Sequence, residues 1–102
     1  MDIKDIQDRV IKFAQKRAEA KKFKFSPELS YIHLTEEIGE IARQLSNKQI
    51  RPELYNEENL KEEIVDVILE SLILAYICKV DLDKDIKKKI DELFRKHGFG
   101  ED

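Results

Sequence analysis

The segment from Ile64 to Ile77 constrains this chain more than any other part of it. Its only strongly polar side chains are Asp66, Glu70 and Ser71. On an ideal helical wheel Glu63, Asp66 and Glu70 share an arc of about 60°, and the remaining circumference is apolar. That pattern belongs to a helix covered on most sides, with one narrow acidic stripe. A membrane span needs about 20 predominantly apolar residues, and this run is shorter and carries Asp66 and Glu70. It reads as the central helix of a small helical domain.

The rest of the composition agrees. The chain has 102 residues, 40% of them charged, with only 3 Gly and 2 Pro. A β-sandwich or barrel needs a turn signal about every 8–12 residues, and these turn formers are too few. The fold class expected is all-α, in one domain. A net charge of −3, from 19 basic and 22 acidic residues, gives no reason to expect polymeric nucleic acid as a partner. The lone Cys78 cannot form an intrachain disulfide; it fits a reducing cytoplasm and is expected to be buried as a small hydrophobe. Met1 to Asp5 open an amphipathic pattern and not an apolar signal sequence, so neither export nor a membrane is expected.

Four helices follow from periodicity and caps. Ile3, Ile6, Val10, Phe13 and Ala14 recur at helical spacing and lead into a basic stretch from Lys16 to Lys24. Ser26-Pro27-Glu28 is a helix start: a capping hydroxyl, a proline in the first turn and an acid at the positive end of the dipole. The second helix is expected from Pro27 to about Leu45, followed by a loop from Ser46 to Asn56. Asn56 before Glu57-Glu58 caps a third helix reaching about Cys78. Asp81 or Asp83 caps a fourth, which ends near His97 because Gly98 suits a left-handed stop. Residues 98–102 read as a flexible tail.

The chemistry gathers on the second and third helices. On the second, Leu34, Ile38, Ile41 and Leu45 form the expected core stripe, and Glu37 and Glu40 border it; the second and third helices are expected antiparallel, facing each other through their acids. On the third, Glu63, Asp66 and Glu70 interrupt an apolar surface. A carboxylate buried alone is costly, and several on facing helices repel one another. Hard divalent cations such as Mg²⁺ or Mn²⁺, which prefer oxygen ligands, remove both penalties. An arginine or lysine from elsewhere in the chain, pairing with Asp66, is the other solution. Glu57, Glu58 and Glu62 fit a solvated helix face equally well.

Glu36-Glu37-x-x-Glu40, an interval of 22 residues, and Glu63-x-x-Asp66 resemble the signature of the MazG-like, all-α nucleoside triphosphate pyrophosphohydrolases. Leu34-Thr35 and Gly39-Ile41 frame the first motif as that family does, a long apolar helix follows the second, and a Lys-rich helix runs from Lys84 to Lys96. The resemblance covers roughly Ile3 to Lys96. It implies a four-helix, bundle-like MazG-type domain over residues 1–97, and hydrolysis of a nucleoside triphosphate to the monophosphate and pyrophosphate. It assigns the metal ligands to Glu37, Glu40, Glu63 and Asp66, with Mg²⁺ as cofactor and Mn²⁺ as a substitute. Glu36 and Glu37 take catalytic roles, Glu36 beside the ligands or positioning the attacking water. The cation would acidify that water and neutralise charge on the phosphate oxygens. Lys89 and Lys96 would serve substrate binding, but Leu93 stands where the family often has an asparagine.

His33, one turn before Glu36 and Glu37, is a further candidate for orienting Glu37 or touching substrate, or else pairs with Glu37 at the helix surface. Phe23 and Phe25 alternate with lysines that could meet a nucleotide or simply snorkel. Lys48 and Arg51 sit on the expected loop between the acidic helices. The sequence has no P-loop, HExxH or Ser/His/Asp pattern, and no Glu-x-x-His pairs for a di-iron bundle. The third helix has more apolar circumference than one small domain covers, so a homodimer or dimer of dimers is expected, built partly on Leu69, Leu72, Ile73 and Tyr76. The competing reading is a non-catalytic helical interaction module with an acidic surface.

Overall fold

The computed structural model describes residues 2–100; Met1 of the expected domain and Glu101 and Asp102 of the expected tail lie outside them. Four helices follow one another: α1 (Ile3–Lys21), α2 (Pro27–Ile50), α3 (Glu57–Ile77) and α4 (Leu82–Lys96), with one 3₁₀ turn at Pro52–Leu54. The described residues contain no strand. The caps are those the sequence offers. Ser26 Oγ accepts from Leu29 N–H at 3.1 Å, Asn56 Oδ1 from Asn59 N–H at 3.0 Å and Asp81 Oδ1 from Lys84 N–H at 3.3 Å. Gly98 ends α4 at φ 70°, a left-handed conformation that costs glycine little.

α2 runs about a turn further than expected. Ser46 to Ile50, read as loop, continue the helix, and Pro52 decides where it stops. A residue before proline is driven out of the α region, and Arg51 sits at φ −135°, ψ 69°. The short turn is then held by Asn56 N–H donating to Gln44 Oε1 at 2.9 Å and by Lys48 over the Tyr55 ring at 5.4 Å.

α3 is central: it packs along α2 and against α1, while α4 leans on α1. The apolar core lies between α1 and the C-terminal half of α3, where Val10, Ile11 and Ala14 meet Leu72 and Ile73. Ala14 is fully buried, so this small side chain sits where the two helices press together. Gln7 Nε2 also donates to the Leu72 carbonyl at 3.0 Å. Phe13, expected in this stripe, is exposed; it lies at the stripe's edge, and the Arg17 guanidinium covers its ring at 5.5 Å.

The α2–α3 contact corrects a second expectation. Ile38 and Leu45 are 49% and 48% exposed, because α2 turns its polar stripe toward α3. Ser30, His33, Glu37, Glu40, Gln44 and Asn47 are its buried or half-buried positions, together with Leu29, Leu34 and Ile41. Leu72 and Ile73, expected at a dimer interface, are already consumed by the core, whereas Val65, Ile68 and Tyr76 stand about half exposed. Cys78 is exposed as well: it is the C-cap of α3, beyond the packed part of the helix.

Candidate metal centre

Two helical motifs bring four acids together across the α2–α3 seam. The pairing is antiparallel. Asp66 is the charge that acts most strongly on Glu37, and Glu40 is the charge that acts most strongly on Glu63. Three residues forward on α2 thus match three residues back on α3, so the ExxE and ExxD spacings are complementary halves of one register. Glu37, Glu40 and Glu63 are half-buried, Asp66 is exposed, and Glu70 a turn beyond is buried.

The electrostatics are those of acids held together without enough positive charge. Burial, then the repulsion of Asp66, Glu63 and Glu70, pushes the Glu37 carboxyl above its ordinary range. Burial and the charges of Glu40 and Asp66 likewise push Glu63 up, against a lowering by Arg43. Arg43 itself lies 3.6 Å from Glu40. Among the described residues no basic side chain pairs with Asp66; the arginine supplied from elsewhere, Arg17, pairs with Glu70 instead, at 3.2 Å. That places the expected arginine one turn from the residue it was considered for.

This arrangement fixes a pH response. Both carboxyls bind a proton more tightly in the fold than in the unfolded chain. The metal-free protein therefore gains stability as pH falls through their raised values toward the ordinary carboxylate pKa of 4.5, and loses it as pH rises through them. Melting in EDTA should give a higher Tm at about pH 5 than at about pH 7. A Tm that is flat or falls over that interval would mean the acids do not repel one another as described.

The donors suit a hard cation. Glu63 Oε2 is buried with no hydrogen-bond partner in the protein. All four candidate ligands offer carboxylate oxygen, the donor that Mg²⁺ and Mn²⁺ prefer. They are not a preformed cage: among the described residues no three acids, imidazoles or thiolates converge as a metal cluster. Unneutralised carboxylates keep apart.

The other expected site residues are distributed differently. Glu36 is exposed and is absent from the charges that shift Glu37 and Glu63. His33 packs edge-on against Phe23, centroids 6.3 Å apart, and shares a small cavity with Glu70; no hydrogen bond joins it to Glu37. Lys89 and Lys96 line a groove on α4 with Glu92, Leu93 and Arg95, and one chain does not bring that groove onto the seam. Arg43 and Glu70 enter the site's electrostatics, and Arg17 pairs with Glu70, without having been singled out as functional. The spacing of Arg43 from Glu40 could have signalled the first of those pairs, whereas Arg17 and Glu70 meet only through the tertiary fold.

No helix among the described residues is long and apolar enough to cross a membrane. Comparison with curated proteins yields no match, and comparison with solved structures yields none. The family model described as the MazG nucleotide pyrophosphohydrolase domain matches residues 25–99. That stretch holds α2, α3 and α4 and leaves α1, which the resemblance had been expected to include, outside it.

Proposed function

The chain belongs to the MazG nucleotide pyrophosphohydrolase domain family, and from that premise we propose that it hydrolyses nucleoside triphosphates to monophosphate and pyrophosphate in a Mg²⁺-dependent reaction. The observation that carries this reading is the seam itself: two acidic motifs in complementary register, with a buried Glu63 oxygen left without a partner. Glu37, Glu40, Glu63 and Asp66 would hold the cation, and Mn²⁺ would substitute for Mg²⁺. A bound divalent cation supplies neutralisation of phosphate charge and acidification of water.

The chain's own contribution is positional. α2 and α3 hold the two motifs in complementary register, so the four acids lie along one seam for a cation to draw together. Glu37 would combine its place among the ligands with a catalytic role beside the attacking water. Glu36, exposed beside it, faces solvent where a water or phosphate approaches. Lys89 and Lys96, from the family's last helix, are proposed to meet the triphosphate. Since they lie on a separate groove, that role requires substrate or a second copy of the chain to bridge the distance.

A second copy is also part of the proposal. Ile38 and Leu45 on α2, with Val65, Ile68 and Tyr76 on α3, leave apolar area exposed on two neighbouring helices. Burying such area is worth about 25 cal/mol per Å², and a symmetric pair of these faces makes the dimer expected from the sequence. Light scattering at micromolar concentration should give a dimer or tetramer, and Ile68→Glu should shift it toward monomer. A wild-type monomer would remove this element. The setting proposed is a cytoplasmic enzyme of nucleotide pool control or house-cleaning.

The test is pyrophosphate release over a panel of canonical and modified NTPs and dNTPs, with and without Mg²⁺. Release with some member of the panel, dependent on divalent metal, supports the enzyme. Silence across the panel favours the non-catalytic interaction module.

A further inference from the structure

Where α1, α2 and α3 meet, three polar atoms are buried without a hydrogen-bond partner in the protein: Arg17 Nε, Ser30 Oγ and Glu70 Oε2. Their three residues line one cavity, together with Phe23, His33 and Ile73. Ser30 is only 5% exposed and Glu70 only 8%. Leaving such groups unsatisfied is costly, most of all for the charged ones. The direct link between Arg17 Nη1 and Glu70 Oε1, at 3.2 Å, uses one atom of each partner and leaves Arg17 Nε and Glu70 Oε2 without one.

We propose that this cavity binds one internal water molecule, held by Arg17, Ser30 and Glu70, as a structural part of the protein. Size decides first. The cavity volume is about 10 Å³, room for about one water and too little for a base, a sugar or a phosphate. Charge decides next: the Arg17 guanidinium disfavours a cation and the Glu70 carboxylate disfavours an anion, so the occupant is neutral. Hydrogen-bonding capacity decides last. Arg17 Nε–H donates, Glu70 Oε2 accepts and the Ser30 hydroxyl does either. A water making all three contacts reaches the usual number for a buried site, about three.

The water joins one residue from each of three helices. Arg17 comes from α1, outside the matched segment of residues 25–99, so the water ties this first helix to the family core. It also holds the Glu70 carboxylate against α1, one turn from Asp66. The inference stands whether or not the seam binds metal.

A high-resolution crystal structure of the full chain tests it, alongside water oxygen-17 relaxation dispersion on wild type and Ser30→Val. The crystal is expected to show one fully occupied water within hydrogen-bond distance of all three atoms. Relaxation should count one long-lived water fewer in Ser30→Val, whose methyl groups fill the space and offer no hydrogen bond. A crystal in which Arg17 Nε and Glu70 Oε2 bond directly across a closed cavity overturns the proposal. So does equal water retention in both proteins.

Discussion

Alanine at any one of Glu37, Glu40, Glu63 or Asp66 is expected to lower pyrophosphate release about a thousandfold or more, since cation catalysis supplies several kcal/mol and each 1.36 kcal/mol is tenfold in rate. The four acids stand in one register, and each is half-buried or lies against another. A hard cation held by fewer oxygens binds more weakly and sits off position, and a displaced catalytic group costs rate steeply. The control is Glu58→Ala. Glu58 lies exposed near the start of α3, and its pairing with Lys61 at 3.7 Å is solvent-exposed, so activity should stay near wild type. Full activity in two or more of the four variants would separate the seam from the chemistry.

The largest stability effect should come from Arg17→Met, which removes the cation from a mostly buried pair. Glu70 would then remain buried beside an acidic seam, and breaking such a pair costs about 3–5 kcal/mol. Removing both charges is different: Arg17→Met with Glu70→Leu replaces the pair by apolar groups and should recover most of the loss, because the unpaired charge goes with its partner. Urea unfolding of the two variants, with wild type alongside, measures the difference. A single variant within about 1 kcal/mol of wild type would place the pair among exposed bridges of little worth.

What the sequence disclosed depended on how local the signal was. Ser26, Asn56, Asp81 and Gly98 act within one turn of themselves, and each cap forms where its residue type says it should. The two acidic motifs were legible for the same reason, since spacings of three and four along a helix set a face without reference to anything else. That the acids of α2 face α3 was legible in the paired motifs. Which apolar residues of α2 stay outside was not: Ile38 and Leu45 belong to the same stripe as Leu34 and Ile41, and only packing against α3 leaves them exposed. Arg17 and Glu70 lie 53 residues apart in sequence, and no local rule links them. The length of α2 failed for a smaller reason: Ser46 and Asn47 suggest a loop, but Pro52 is the residue that stops the helix.

The claim that the seam is a divalent-cation site is tested most directly by thermal melting of wild type and Asp66→Asn, each in EDTA and in Mg²⁺. Asp66 has a carboxyl neighbour in Glu37 and no basic partner among the described residues, so the amide keeps the side chain's shape and removes a repelling charge. In EDTA the variant should therefore melt at or above wild type. Mg²⁺ should raise the wild-type Tm, since a ligand at a hundred times its Kd adds about 2.7 kcal/mol to the folded state. Most of that rise should be missing in the variant. A wild type indifferent to Mg²⁺, with a variant that melts far lower in EDTA, would show Asp66 to be a structural anion and contradict the account.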